Sequence, residues 1–429
     1  TDPEATSATI SVNMKRRPSA WETVRDYRRW IVESLASGMM TNRLSEFTQR
    51  PDSPFLDVSS FQGRFLRPLS AYVLTARVPA EGVERGLREL LLEVTRIRQH
   101  GFTETELERE KMQLLRRVEQ RHAERHRVSS SSFASDYAAH FLYGGTLVSN
   151  EDEYELYNRL VPEVTLRMVN GIAAEWMRTE DRVILVNMPE SDSLRPPPEG
   201  RLETIVRYTN RADTKPYSDA FASQPLLGVL PPLGSIESER ELPELGITEW
   251  VLENGVRVLV KPTDFRDDEV LMVARSPGGT SLVPDEHYFA ALTASAVVQA
   301  GGLGELSQTD LRKLLAGTVA GVGAELSETH EGISGAASVR DMETLFQLAH
   351  LKFIAPRRDS LAIEAYRQQA RASVALRSAS PDQLFADSLR SILAQYHPRG
   401  LPLRAEDFEQ LDIERSFEIY RERFADASD

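Results

Sequence analysis

The sequence predicts an α+β protein built from two homologous domains, each a mostly antiparallel sheet covered by helices on one face. Three observations lead there. A strand–turn–helix pattern occurs twice at a fixed spacing. Each copy runs strand, helix, helix, strand, strand, helix, helix, and strands followed by paired helices suggest a largely antiparallel sheet covered on one face. A proline-rich stretch separates the copies.

The first strand is "ATISVNMK", with apolar residues at alternate positions. The stretch 21–36, "WETVRDYRRWIVESLA", reads as a helix, and "TNRLSEF" reads as a second, shorter one. "YVLTARVPAEGVE" then gives a strand, a polar turn and the start of a helix carrying Leu87, Leu90, Leu91 and Val94 at helical spacing. A charged amphipathic helix begins near "FTETELEREK". The second copy repeats the order. "EVLMVARS" is its strand, 287–300 its helix, "SQTDLRKLLAG" its short helix, and "GISGAASVRDME" its strand and turn. The helix that follows carries Leu345, Leu348, Ala349 and Leu351, and "RDSLAIEAYRQQ" closes the unit. Pairing Val83 with Met342 sets the offset at 342 − 83 = 259.

Eight of the 23 prolines lie in residues 190–243. Proline fixes φ and removes a donor, so an extended, semi-rigid linker is expected there. The expected organisation is a first α+β domain over 1–189, the linker over 190–243 and a second α+β domain over 244–429. The second domain opens with "LENGVRVLVKP", in which Asn254-Gly255 signals a tight turn between strands.

Bulk properties narrow the function. A length of 429 residues fits two large domains, and 41% apolar with 27% charged residues is a globular composition. A formal charge of −14 argues against a nucleic-acid surface, which needs a basic stripe. There is no cysteine, hence no disulfide, thiolate metal site or cysteine nucleophile. No apolar run approaches the roughly 18 residues of a membrane helix. The opening "TDPEATSATI" has no initiator Met and no signal-peptide pattern, so a piece of a longer chain is expected.

The order strand, long helix, "LASGMMTNRLSEF", two strands, helix, "GFTETELEREKMQLL" resembles the insulinase/pitrilysin family of zinc metallopeptidases. "LENGVRVLVKP" and "AGGLGELSQTDLRKLLAGTVAGVGAELSE" resemble the third domain of its long bacterial members. The resemblance implies four homologous domains in two halves, closing like a clamshell around a peptide. This chain would be the central fragment, most of domain two, the linker and most of domain three. Domains one and four of the same polypeptide are its implied partners, and Zn2+ belongs to the parent enzyme. Peptides or unfolded protein segments are the implied substrates, and the periplasm the implied location, with the cytoplasm the alternative.

The family holds zinc through His-x-x-Glu-His on a helix of domain one, with another Glu on a later helix. Two His at i and i+4 share a helix face, and the Glu at i+3 beside them activates water. Residues 121–126, "RHAERH", imitate this only in spelling. On a helix Glu124, at i+2 from His122, points about 200° away from it. Glu119 is better placed, but Arg116, Arg117, Arg121, Arg125 and Arg127 oppose a dication. The expected state is a solvated helix with Glu–Arg and Glu–His pairs. The slots that match by the repeat are also empty. Stretch 21–36 has no His, and after His287 come Ala290 and Ala291 where Glu and His would stand. No catalytic, cofactor-binding or metal-ligating residue is therefore assigned in this chain.

Other stretches read as structure. "SSSS" at 129–132 is a helix start or loop cluster rather than a nucleophile, with no His or Asp placed nearby. "AGGLGE" lacks the lysine of a phosphate loop and reads as an inter-helix turn. Trp21, Tyr27 and Trp30 fit a core-facing helix stripe better than a ligand platform, and "EDEYELY" reads as a solvated acidic stretch. The expected function is a non-catalytic fragment of a zinc endopeptidase that walls its substrate chamber and is inactive alone. The alternative is a non-catalytic scaffold subunit of a hetero-oligomeric peptidase of this family. A metal-independent peptide-binding module is the third possibility.

Overall fold

The computed structural model describes residues 5–426 apart from 6, 20, 67, 191–194, 220–223 and 378–379. The first residues of the opening "TDPEATSATI" and parts of the proline-rich span thus lie outside the described residues. The chain divides into two compact units.

The first unit begins with β1 (Ala8–Arg16), α1 (Val24–Phe47), β2 (Asp57–Leu66), β3 (Leu69–Val78), α2 (Val83–His100) and α3 (Glu104–Ala123). After them come α4 (Ser130–Tyr143), α5 (Asn150–Leu160), α6 (Leu166–Trp176), β4 (Arg182–Asn187) and α7 (Glu199–Arg211). Its sheet has the order β2-β3-β1-β4, and every neighbouring pair is antiparallel. Register follows side-chain alternation: Ile10, Val12 and Met14 face the core beside Ala76, Leu74 and Tyr72 of β3. Helix α2 lies close on that face through Gly86, where a Cβ would sit 2.7 Å from Val78 Cγ1 and 3.0 Å from Ile10 Cδ1.

Helix α1 is longer than the two helices expected from the sequence. It begins at a Thr23–Asp26 capping box and runs unbroken through Gly38 into "TNRLSEF". Gly38 is there to admit a neighbouring side chain, described below. The expected linker is also not extended throughout. Within it α7 buries Ile205 and Thr209, and Thr95 Oγ1 of α2 donates to Thr209 O at 3.0 Å. Beyond α7 the backbone is strapped to the helices. Gln99 Nε2 donates to Ala212 O at 2.8 Å, Arg96 Nε to Lys215 O at 3.1 Å, and the Tyr217 hydroxyl to Glu46 at 2.7 Å.

The second unit contains β5 (Ile236–Leu242), β6 (Ile247–Leu252) and β7 (Arg257–Val260), an antiparallel sheet in that order. The turn at Asn254-Gly255 joins β6 to β7, with Gly255 at φ 87° and Gly255 N donating to Leu252 O at 2.8 Å. A second sheet has the order β8-β10-β9, formed by β8 (Val270–Pro277), β9 (Ala320–Leu326) and β10 (His330–Ala337). Helices α8 (Tyr288–Gly301) and α9 (Gln308–Leu314) lie between β8 and β9 in sequence, and α10 (Met342–Ile354) follows β10. Then come α11 (Ser360–Arg377), α12 (Pro381–Leu393), α13 (Ala405–Glu409) and α14 (Ile413–Arg423). Residues 364–410 cluster with the first unit and 411–429 with the second.

The repeat is present in the fold. The 3-10 turn Ala80–Gly82 recurs as Val339–Asp341, and α2 and α10 start at Val83 and Met342; both give 339 − 80 = 342 − 83 = 259. The two sheets share the same antiparallel trio, β2-β3-β1 and β9-β10-β8. In the second copy Gly332 is required, because a Cβ there would lie 2.1 Å from Ala274 O of β8.

Candidate functional site

The place to look for metal chemistry is the contact between α1 and the later helix α3. Glu110 of α3, nearly fully buried, turns its carboxylate onto α1. Asn42 Nδ2 donates to Glu110 Oε2 at 2.9 Å, and Arg117 Nη2 donates to Glu110 Oε1 at 3.2 Å. A Cβ on Gly38 would stand 2.3 Å from Glu110 Oε1, so only glycine lets the carboxylate reach the helix. Gly38, Thr41 and Asn42 stand at i, i+3 and i+4, the spacing that a His-x-x-Glu-His motif uses. None of the three is a zinc ligand type found in such sites. Burial raises the Glu110 carboxyl above its ordinary value, while Arg117 and Asn42 act against that rise. The carboxylate is thus satisfied by an amide and a guanidinium rather than a metal ion, and the residues do not fit zinc.

One turn further along α1, Arg43 is buried between two carboxylates. It donates to Glu106 (Nη2 to Oε2, 2.7 Å), to Glu93 (Nη1 to Oε1, 3.3 Å) and to Gly101 O (3.1 Å). Its guanidinium carbon lies 4.3 Å from the Tyr217 ring centre and 4.9 Å from that of Phe102. Burial pushes the Glu93 carboxyl up; Arg96 and Arg43 pull it back. Glu33, also buried, accepts from Arg16 at 2.7 Å and Arg29 at 3.0 Å. These are paired structural charges locking α1 to its neighbours.

In the second unit the matching helix is α8. His287 is the residue before it, ending a 3-10 turn, and Ala290, Ala291 and Ala294 are buried in the core with Ile419 and Tyr420 of α14. Thr293 and Ser416 hydroxyls meet at 3.2 Å. The polar group brought to α8 is a cation: Lys352 of α10 is 3% exposed, and its Nζ donates to Gln299. Burial alone lowers this ammonium to about 8. At the end of the sheet, buried Glu331 accepts from Gly279 N and Arg423, tying α14 to β10.

The "RHAERH" segment does not form the helix the sequence suggested. Helix α3 stops at Ala123, so His122 is in its last turn while His126 lies in a separate 3-10 turn, Arg125–Arg127. The His122 ring stacks on Tyr154 at 4.2 Å, and Glu119 pairs with Arg116 at 2.6 Å. Glu124 accepts the backbone N–H of Asp267 at 3.0 Å, and Arg127 meets Asp267 at 2.9 Å. Among the described residues no group of three or more His, Asp or Glu could hold a metal ion.

Ser129 caps α4, accepting from Ser132 N. "AGGLGE" is the turn between α8 and α9, with Gly302 and Gly304 at φ 95° and 56°. Trp21, Tyr27 and Trp30 form an edge-packed cluster with Tyr157. Tyr157 belongs to the acidic "EDEYELY" stretch, which is therefore half core: α5 buries that ring completely, Glu153 accepts the Tyr27 hydroxyl at 2.9 Å, and Glu151, Asp152 and Glu155 lie outward. Sequence reasoning missed the Gly38–Asn42–Glu110 contact. A glycine inside an otherwise helical run was its signal.

No family model matches the chain. A protein of Arabidopsis thaliana named zinc protease PQQL-like is 25% identical over 433 residues, covering 99% of this chain and 39% of its own length. A probable zinc protease PqqL of Haemophilus influenzae is 21% identical over 355 residues, covering 81% of this chain and 38% of its own length. The chain thus spans about two fifths of the curated relatives it matches. Among solved structures, the ferredoxin protease FusC, in complex with Arabidopsis ferredoxin, superposes with a TM-score of 0.60 at 15% identity. That match covers 99% of this chain and 47% of the other, and at such identity it shows the fold alone.

Proposed function

Since the chain is a relative of the zinc proteases of the insulinase/pitrilysin family, we propose that it is the non-catalytic central part of such an enzyme. Its two units wall the chamber in which a peptide or unfolded protein segment is enclosed and cleaved. The single observation that carries this reading is the pair of helices that would have to hold a metal. One presents Gly38, Thr41 and Asn42 beside an Arg117-paired carboxylate; the other presents Ala290 and Ala291, buried in an apolar core with Ile419 and Tyr420. Zinc chemistry in the parent protein then belongs to a different domain, which supplies the metal-bound water. The proposed organisation keeps 1–189 and 244–429 as domains two and three around the 190–243 linker, with domains one and four as partners in the same polypeptide. We place the parent in the periplasm, as the resemblance to the long bacterial members of the family implies.

The purified chain should contain no stoichiometric zinc and cleave no peptide. Elemental analysis finding one tightly bound zinc per chain, surviving dialysis against a weak chelator, would overturn the reading.

A further inference from the structure

Asn-Gly occurs twice in the chain, as Asn170-Gly171 and Asn254-Gly255. The dipeptide carries a reaction of its own. The backbone nitrogen after asparagine stands one five-membered ring away from the side-chain carboxamide carbon, and glycine puts no Cβ in the way of its approach. The fold treats the two copies differently. Asn170 and Gly171 lie inside α6 (Leu166–Trp176), between the core residues Val169 and Ile172. There the Gly171 N–H belongs to the helix ladder, so it turns toward the carboxamide only if the helix opens. Asn254 and Gly255 are both exposed, at the tip of the β6–β7 hairpin.

The electrophile is prepared alike at both places. Phe102 N donates to Asn170 Oδ1 at 2.8 Å, and Val256 N donates to Asn254 Oδ1 at 3.3 Å. Each donor sits on the oxygen that gathers charge as the carbon is attacked. The difference lies in the nucleophile and in the room for movement. The Asn170 carboxamide is wedged against Gly101, where a Cβ would lie 2.6 Å from Nδ2. At the hairpin, the hydrogen bond from Gly255 N to Leu252 O at 2.8 Å holds the nucleophile, and it closes a solvent-facing turn ahead of a strand only four residues long. Such ends open by local fraying at a small fraction of the global unfolding cost, whereas α6 is anchored by buried Val169, Ile172 and Ala173.

We propose that Asn254 is a self-modification site, converted without an enzyme to aspartate and isoaspartate, while the fold preserves Asn170. Gly255 N gives its proton to base and attacks Asn254 Cγ. The new N–C bond closes a cyclic imide as the Cγ–Nδ2 bond breaks and ammonia leaves. Water then opens the ring. Addition at Cγ restores the peptide with aspartate at 254; addition at the main-chain carbonyl leaves isoaspartate, whose backbone runs through the side chain. One water enters and one ammonia departs, with no change of oxidation state. Either product adds a negative charge beside Glu253. Isoaspartate also lengthens the turn by one carbon, which displaces β7 from its register with β6, Thr248–Val251 opposite Val260–Arg257. This chemistry belongs to the hairpin and stands apart from the chamber reading.

The test incubates the 429-residue chain at pH 8.5, folded in buffer and unfolded in guanidinium chloride, and follows both sites by peptide mapping. Each conversion adds about 1 Da to its peptide. In the folded chain Asn254 should convert at least about tenfold faster than Asn170. In guanidinium the two rates should converge, because the dipeptide is the same and only the fold separated them. Amide hydrogen exchange over Arg257–Val260 should quicken in the isoaspartate fraction and stay slow in Asn254→Asp, which has the charge without the extra carbon. Asn170 converting as fast as Asn254 in the folded chain would overturn the proposal. So would Asn254 left intact there over a time in which the unfolded chain converts. Unchanged exchange in the isoaspartate fraction would overturn the effect on β7.

Discussion

Replacing Lys352 by methionine should stabilise the second unit. The ammonium sits in the α8–α10 core and is 3% exposed, with Gln299 as its side-chain partner. Desolvation is the one cause of its lowered value, about 8 against an ordinary 10.5, so no carboxylate compensates it. That gap corresponds to about 3 kcal/mol, at about 1.4 kcal/mol for each tenfold change in proton affinity. Between those two values the unfolded chain holds more protons than the folded one, so stability rises with pH across the window. Below about pH 8 the penalty is present in full. Urea unfolding followed by circular dichroism, from pH 7 to pH 9.5, measures it. Lys352→Met should be more stable than the parent by about 2–3 kcal/mol at pH 7, and the difference should shrink as pH rises. A methionine fills the same cavity without a charge. A variant no more stable than the parent at pH 7, or a difference that stays constant over the window, would refute the burial argument.

Two further substitutions probe α1. Gly38→Ala should destabilise by about 1–3 kcal/mol although alanine favours helix by about 1 kcal/mol, because its Cβ would meet Glu110 Oε1 at 2.3 Å. Combining it with Glu110→Ala should recover part of the loss, and the non-additivity of urea midpoints checks this. Arg43→Met should cost about 3–5 kcal/mol by leaving Glu93 and Glu106 buried without their shared cation. Its instability should lessen toward acid pH, where the Glu93 carboxyl, already pushed up by burial, takes a proton, as thermal melts at pH 7 and pH 5 would show.

Much of the fold was legible because it is written twice. The 259-residue offset located the turn before α2 and the one before α10 to the residue, since strand alternation and helix spacing are local signals. What escaped was set by tertiary contacts. The break expected between stretch 21–36 and "TNRLSEF" is absent, because intrinsic propensity cannot see that Glu110 packs into the space beside Gly38. The prolines at 196–198 pointed to extended chain, and they do precede α7, but the apolar stripe that folds "EGRLETIVRYTNR" onto α2 outweighed the neighbouring composition. The acidic run at 151–157 concealed Tyr157 because its two tyrosines, Tyr154 and Tyr157, stand among four acidic residues. In "RHAERH" the spacing argument assumed a continuous helix; the chain leaves helical geometry after Ala123, so the two imidazoles never share a face.

The strap after α7 bears on how the halves of this chain would be cut apart in the laboratory. A truncation at residue 189, where composition invites the knife, removes the helix lying over α2. It also removes the tyrosine that caps the Arg43 guanidinium and takes from Thr95, Arg96 and Gln99 the backbone carbonyls they donate to. A truncation after residue 219 carries all of these along and should melt above the shorter one; residues 364–410, which also cluster with this unit, are lost from both.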